Sequence, residues 1–203
     1  MKNRIINTAN TVTLFRILLT PVFVGVMLMH RQLSMTGSDV NALQYWRWLA
    51  ISVFALAAIS DGIDGFIARH FNQRTELGEL LDPLADKVLL NAAILTLSFS
   101  MGLGIFQFPF WFPLIVFTRD LIILTGTLII RFLNIKIKTT PSLIGKITTF
   151  FQMCSVIVLL LGLPVGIINS IVYTATLLTI ITCVQYVLIG LKMIHEAEPN
   201  INH

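Results

Sequence analysis

Long apolar blocks separated by short polar connectors restrict the fold of this chain more than any other sequence feature. Most blocks approach the roughly 20 residues that an α-helix needs to cross a bilayer. Hydrophobic residues make up 56% of the 203 residues and charged residues only 12%, whereas a soluble domain carries about 25% charged residues. Helices satisfy all their backbone hydrogen bonds internally, as the hydrocarbon region requires. The sequence therefore predicts an all-α integral membrane protein.

Six transmembrane helices are predicted, and the connectors between them are short enough to make neighbouring helices antiparallel. The predicted spans are residues 12–29, 47–70, 83–101, 110–133, 142–163 and 169–194. We expect one membrane domain over residues 1–203, in which residues 1–10 form a short segment along the membrane surface.

Lys and Arg residues are distributed unequally between the two sides of the predicted bundle. Arg31 and Arg47 fall on one side, whereas most of the others fall on the opposite side. Cytoplasmic connectors carry the excess of Lys and Arg, so both termini are predicted to be cytoplasmic. The basic residues form no nucleic-acid-like patch, so we expect the lipid bilayer and phosphate-bearing substrates as partners, and no nucleic acid.

Four aspartates, Asp61, Asp64, Asp82 and Asp86, lie at the predicted cytoplasmic ends of the second and third spans. A charged residue inside a span costs about 2.5–3.5 kcal/mol on insertion scales, so such residues usually mark function. Carboxylates without neighbouring His or Cys favour hard cations such as magnesium, manganese or calcium. Two ions could then bind a diphosphate, and one carboxylate could accept a proton from a hydroxyl. Pairing with basic residues at a wet helix end is the alternative.

One helical face carries the first two aspartates together with small residues and one cation. At about 100° per residue, this face contains Asp61, Asp64, Gly65, Ala68 and Arg69. Gly65 and Ala68 leave space for a flat group, such as a nucleotide base, against the backbone. Glycine in a helix interior costs about 1 kcal/mol relative to alanine, so its presence needs a reason.

The second pair of aspartates, Asp82 and Asp86, is spaced by four residues and therefore also shares one helical face. Pro83 fits the first turn of a helix with Asp82 near its N-cap. A helix beginning at Gly78 would instead align Gly78, Asp82 and Asp86 in one stripe. The sequence leaves both starts open.

These residues resemble the signature of the CDP-alcohol phosphotransferases. That signature reads D-x-x-D-G-x-x-A-R, eight residues, then G-x-x-x-D-x-x-x-D, and every fixed position is present between Asp61 and Asp86. The resemblance extends to the run Asn10-Thr-Val-Thr13-Leu-Phe-Arg16, the Arg119–Asp120 pair and Gly145-Lys146.

The resemblance implies a homodimer of six-helix bundles in a membrane, with a bacterial inner membrane as the expected location and the site facing the cytoplasm. It implies two divalent cations, magnesium or manganese, and CDP-diacylglycerol as the lipid substrate. Asp61, Asp64 and Asp82 would bind the metals, and Asp86 would act both as a ligand and as the base that deprotonates the acceptor hydroxyl. The residues implied for the CDP moiety are Gly65, Ala68, Arg69, Gly78, Asn10 and Thr13.

The acceptor implied by the resemblance is an alcohol that carries a phosphate. The run Leu81–Lys87 resembles phosphatidylglycerophosphate synthases, which use glycerol 3-phosphate, and also eukaryotic-type cardiolipin synthases, which use phosphatidylglycerol. We expect glycerol 3-phosphate, with cardiolipin synthesis as the alternative. The candidate cations for the acceptor phosphate are Arg119, Lys138 and Lys146, although Arg119 could instead form a structural salt bridge with Asp120.

An ion-coupled transporter is the remote alternative from another functional class. Transporters place acidic residues near the bilayer midplane in broken helices. The four aspartates of this chain cluster instead at one end of two spans.

Overall fold

The structure, a computed structural model, describes residues 8–37, 39–71, 76–99, 107–132 and 143–197, and the side chains of 15–37, 39–60, 87–99, 107–130 and 143–193. These residues form six α-helices and no strand, which confirms the all-α prediction for the described parts of the chain. The helices are α1 (Thr8–Met35), α2 (Val40–Phe71), α3 (Glu76–Ser98), α4 (Trp111–Phe132), α5 (Leu143–Leu161) and α6 (Val165–Ala197).

Five of the six helices are long and apolar enough to cross a membrane, namely α1, α2, α4, α5 and α6. In α3 the side chains that the structure describes begin at Lys87, and the stretch Lys87–Ser98 is apolar. The first half of the helix carries Glu76, Glu79, Asp82 and Asp86 in its sequence. With 23 residues, α3 is still about 35 Å long. The six predicted spans thus correspond to six helices, of which α3 combines a polar half with an apolar half.

Two helices begin seven residues before the predicted spans, whereas α1 and α6 begin four residues before theirs. Helix α2 begins at Val40 rather than at residue 47, because Arg47 lies within the helix and does not end it. Helix α3 begins at Glu76, so Gly78, Asp82 and Asp86 lie in one continuous helix. The alternative in which Asp82 caps the helix is therefore wrong.

The helices pack as two compact units. The first contains α1, α2, α3 and the last turn of α5 (Leu159–Gly162), and the second contains α4, the rest of α5 and α6. In the first unit α1 packs along both α2 and α3, and in the second α4 packs along α6. The rings of Phe23 and Phe54, both fully buried, lie 5.9 Å apart between α1 and α2. The expectation of one domain over residues 1–203 stays a prediction.

A glycine turn ends α5 in the first unit. Gly162 has a φ of 65°, in the left-handed region, and its N–H donates to the Leu159 carbonyl at 3.0 Å. The N–H of Leu163 donates to the Val158 carbonyl at 3.2 Å, which completes a Schellman motif. The Arg47 Nε donates to the Leu160 carbonyl, one of those that the motif leaves without a helical partner. Arg47 of α2 therefore caps the end of α5.

We expect Gly162→Ala to destabilise the protein. A left-handed conformation costs a residue with a Cβ roughly 1–2 kcal/mol, and a Cβ at Gly162 would collide with the Arg47 guanidinium. At about 2–4 °C per kcal/mol, the melting temperature in detergent should fall by roughly 2–8 °C. Gly190→Ala in α6 is the matched control, because a Cβ there meets nothing within 4 Å. An equal melting temperature for both variants would contradict this role of Gly162.

A polar contact joins α5 to α6 in the second unit. The fully buried Gln152 side chain donates from Nε2 to the Thr179 hydroxyl at 2.9 Å. The Thr179 hydroxyl donates in turn to the Ala175 carbonyl at 2.6 Å. The Gln152 Oε1 is buried and accepts no hydrogen bond from the residues that the structure describes. Among the described residues, the Gln152 side chain thus forms a hydrogen bond through its amide N–H and none through its amide oxygen.

This asymmetry predicts different effects for the two residues. Thr179→Val should leave the buried Gln152 Nε2 without its acceptor and destabilise the protein by about 1 kcal/mol, within the range for interhelical bonds in membranes. Gln152→Leu also removes the Oε1 that has no donor, so we expect a smaller loss. Melting temperatures of both variants and the double variant would test this. A larger loss for Gln152→Leu than for Thr179→Val would contradict it.

Candidate active site

The packing of α1 on α2 fixes which residues of the two helices lie at the same level. Only residues 36–39 connect them, a reach of about 18 Å at most, so two long helices packed side by side must be antiparallel. The Phe23–Phe54 contact sets the register. Thr13 lies ten residues before Phe23 and Asp64 ten residues after Phe54. Both are therefore displaced about 15 Å in the same direction, and Thr13 lies at the level of Asp64.

The same reasoning relates α2 to α3. Both helices pack along α1, and residues 72–75 separate them, which again requires opposite directions. Asp64 lies about 10 Å before the end of α2, and Asp82 lies about 9 Å after the start of α3. Asp61 and Asp86 each lie about 15 Å from the same ends. The backbone thus brings the four aspartates to one end of the first unit. Asp64 and Asp82 lie at one level, and Asp61 and Asp86 lie at a second level deeper in the helices.

The predicted residues for the CDP moiety belong to the same end. Asn10 and Thr13 lie in the first turns of α1, Gly65, Ala68 and Arg69 in the last turns of α2, and Gly78 in the first turn of α3. The side chains of these residues and of the four aspartates lie outside the described part of the structure. The helices bring the backbone of these residues to one end of the first unit. The roles that the resemblance implies for them stay predictions.

The donor chemistry at this end fits a hard divalent cation. Asp61 and Asp64 in α2, and Asp82 and Asp86 in α3, offer carboxylate oxygens, the ligands that magnesium and manganese prefer. Among the side chains described elsewhere in the chain, no group of three or more His, Cys, Asp or Glu could hold a metal ion. The aspartate end is therefore the candidate metal site.

Arg119 is a buried cation in the second unit. Only 4% of its surface is exposed, its Nη1 donates to the Asp120 carboxylate at 2.8 Å, and its guanidinium carbon lies 5.8 Å from the centre of the Tyr186 ring. This confirms the Arg119–Asp120 pair that the sequence offered as an alternative. The Arg119 Nε is buried and has no hydrogen-bond partner among the described residues, so the guanidinium keeps donor capacity for an anion.

Lys146 and Lys138 are the other two candidates for the acceptor phosphate. Lys146 is exposed at the fourth position of α5, in the second unit. Lys138 lies outside the described residues.

Arg16 is a buried charge to which the sequence analysis gave no role. It lies in α1 with 3% of its surface exposed, inside a helix apolar enough to cross a membrane. The signal was present in the sequence, because an Arg within an apolar span marks a functional or paired residue, even near the start of the span as here.

Comparison with known proteins shows where the chain belongs. The profile of the CDP-alcohol phosphatidyltransferase family matches residues 6–192. A probable phosphatidylglycerophosphate synthase of Mycobacterium tuberculosis is 35% identical over 193 residues, covering 93% of this chain and 84% of that protein. A CDP-diacylglycerol–glycerol-3-phosphate 3-phosphatidyltransferase of Blochmanniella floridana is 31% identical over 90% of both chains.

A human cardiolipin synthase (CMP-forming) is also similar, with 35% identity over 107 residues, but this covers only 52% of the chain and 32% of the human protein. Of these three relatives, the two that match 90% or more of this chain are named for the synthesis of phosphatidylglycerophosphate or for phosphatidyl transfer to glycerol 3-phosphate. By the extent of the family match and by these relatives, the chain belongs to the CDP-alcohol phosphatidyltransferase family.

Proposed function

We propose that this protein transfers the phosphatidyl group of CDP-diacylglycerol to a hydroxyl of glycerol 3-phosphate, forming phosphatidylglycerophosphate and releasing CMP. The observation that carries the proposal is the placement of the four signature aspartates at one end of α2 and α3. The relatives from Mycobacterium tuberculosis and Blochmanniella floridana, whose names describe this product or reaction, support it over nearly the whole chain.

The proposed reaction forms one oxygen–phosphorus bond and breaks another. Asp86 accepts the proton of the acceptor hydroxyl, and the hydroxyl oxygen attacks the lipid-linked phosphorus. The bond from that phosphorus to the bridging oxygen of the diphosphate breaks, and the bridging oxygen leaves with CMP. Asp61, Asp64 and Asp82, with Asp86, would hold two magnesium or manganese ions. Bound there, the ions would offset the negative charge of the diphosphate and of departing CMP.

The CDP moiety is assigned to the end of the first unit that carries the aspartates. Gly65 and Ala68 would border the cytidine because they lie one and four residues beyond Asp64, where small side chains let a flat ring approach the backbone. Arg69, one residue after Ala68, would contact the diphosphate. Asn10, Thr13 and Gly78 complete the set, since the helix ends bring them to the same region.

The acceptor phosphate is assigned to three cations, Arg119, Lys138 and Lys146. Arg119 offers a buried guanidinium with donor capacity beyond Asp120, while Lys138 and Lys146 lie before and at the start of α5. Cardiolipin synthesis, with phosphatidylglycerol as acceptor, is the second candidate because of the human relative. That match covers about half of the chain, so glycerol 3-phosphate is the acceptor favoured here.

For the membrane topology we propose cytoplasmic termini and a site that faces the cytoplasm, in a homodimer within a bacterial inner membrane. The Arg47–Leu160 contact puts the start of α2 and the end of α5 on one side. The aspartates lie toward the opposite end of α2, the end that also carries Arg69, and Arg74 follows three residues after the helix in the sequence. An excess of Lys and Arg marks the cytoplasmic side.

One assay tests the function directly. The purified protein is given CDP-diacylglycerol with magnesium or manganese, and CMP release is followed with glycerol 3-phosphate or phosphatidylglycerol as acceptor. We expect release with glycerol 3-phosphate, none with phosphatidylglycerol, and none after chelation of the metal. Release with phosphatidylglycerol alone would make the protein a cardiolipin synthase. No release with these acceptors, inositol phosphate or serine would overturn the proposal.

A further inference from the structure

The buried Arg16 side chain has a partner that the register of the first unit identifies. Arg16 lies seven residues before Phe23, and Asp61 lies seven residues after Phe54. Seven residues turn an α-helix through about 700°, only 20° less than two full turns, and advance it by about 10.5 Å. Since α1 and α2 are antiparallel, both displacements run the same way. Arg16 and Asp61 therefore lie at one level, on the helix faces that meet where the Phe23 and Phe54 rings touch.

The surroundings of Arg16 require a counter-charge. With 3% of its surface exposed, the side chain belongs to a helix that is long and apolar enough to cross a membrane and that packs along both aspartate-bearing helices. A charge removed from water in this way is strongly unfavourable unless a charged or polar partner compensates it. Asp61 and Asp86 lie at this level, and the facing of Phe23 and Phe54 favours Asp61 of α2 as the partner. A planar guanidinium can bind both oxygens of one carboxylate.

Position along the helices favours one of two roles for Arg16. The diphosphate is assigned to Arg69, whereas Arg16 lies at the level of Asp61, eight residues or about 12 Å along α2 from Arg69. We propose that Arg16 is a positioning residue: its guanidinium holds the Asp61 carboxylate in the orientation in which that carboxylate binds a divalent cation. This inference rests on the metal site of the proposed function and adds a residue outside the signature to it.

Residues that orient a metal ligand affect the affinity for the metal. Loss of such a partner typically reduces metal affinity or activity by about 10–100-fold. We therefore expect Arg16→Gln to weaken manganese binding by about 10–100-fold. Arg16→Lys should lose less manganese affinity than Arg16→Gln because it keeps the positive charge. It should still lose some, because lysine lacks the two-pronged geometry of the guanidinium.

Manganese binding to the purified, substrate-free protein in detergent, followed by the electron paramagnetic resonance of free Mn²⁺, is the test. Arg31→Gln is the matched control, because it makes the same replacement fifteen residues later in α1 and should leave the affinity unchanged. Arg16→Gln is also made in an Asp61→Asn background. If Arg16 acts through Asp61, it should there change the remaining affinity by less than about twofold.

Each outcome decides between defined possibilities. A wild-type protein that binds no manganese would remove the proposed metal site. Normal wild-type binding with unchanged affinity in Arg16→Gln would overturn the role of Arg16 alone. A higher KM for CDP-diacylglycerol at unchanged manganese affinity would assign Arg16 to the diphosphate instead. If Arg16→Gln does not fold, the manganese affinity of Arg16→Lys is measured with and without Asp61→Asn. If the losses in affinity from the two changes add, Arg16 does not act through Asp61 and the proposal is overturned.

Discussion

Asp86→Asn should abolish turnover while the protein still binds CDP-diacylglycerol. Asparagine has nearly the shape of aspartate but cannot accept the proton of the acceptor hydroxyl. Removing a general base reduces the rate by about 10²–10⁴-fold. Its amide oxygen can still coordinate a cation, and Asp61, Asp64 and Asp82 remain, so the lipid substrate should still bind. Single-turnover CMP release and binding of CDP-diacylglycerol, both measured with magnesium, separate the two effects.

Asp39→Asn is the matched control for this variant. Asp39 is an exposed carboxylate that precedes the start of α2 and accepts a long hydrogen bond of 3.4 Å from the Asn41 backbone N–H. Asparagine caps helices about as well as aspartate, so stability and turnover should both stay near the wild-type values. Turnover by Asp86→Asn within tenfold of wild type would remove Asp86 from the role of base. Loss of lipid binding would assign it to the metal site alone.

The helical placement of the four signature aspartates was predictable because its signals are local. The spacings of Asp61 to Asp64 and of Asp82 to Asp86 match the helical period, and α2 and α3 are helical at these positions. The apolar blocks predicted the spans for the same reason. Arg119 and Asp120 are neighbours in sequence, so their ion pair at 2.8 Å was also within reach of sequence reasoning.

Other features depend on contacts between distant residues, which periodicity does not reveal. Arg47 was expected to mark the start of a span, but its bond to the Leu160 carbonyl, 113 residues away, lets the helix continue through it. The level of Arg16 relative to Asp61 follows from the packing of Phe23 on Phe54. The start of α3 stayed open because Pro83 suits a first turn, whereas the helix begins at Glu76.

Arg119→Gln should raise the KM for glycerol 3-phosphate much more than it lowers turnover at saturating acceptor. The guanidinium is buried in the second unit, is bonded to Asp120, and has an Nε without a partner among the described residues. A phosphate oxygen would satisfy that donor. Loss of a buried, charged hydrogen-bond partner costs about 2–5 kcal/mol, so kcat/KM for the acceptor should fall on the order of a hundredfold. The KM for CDP-diacylglycerol should change little.

Two further variants distinguish this role from a structural ion pair. Lys192→Gln removes an exposed cation of α6 in the same unit and should leave the KM for glycerol 3-phosphate unchanged. Asp120→Asn breaks the ion pair at 2.8 Å but keeps the guanidinium, so it should lower the melting temperature and leave most of the acceptor affinity. If Arg119→Gln and Asp120→Asn lower the melting temperature equally and neither raises the acceptor KM, Arg119 serves the fold of α4 and the acceptor phosphate binds elsewhere. If only Arg119→Gln raises the acceptor KM, and its melting temperature is no lower than that of Asp120→Asn, the result supports direct binding of the phosphate by the guanidinium.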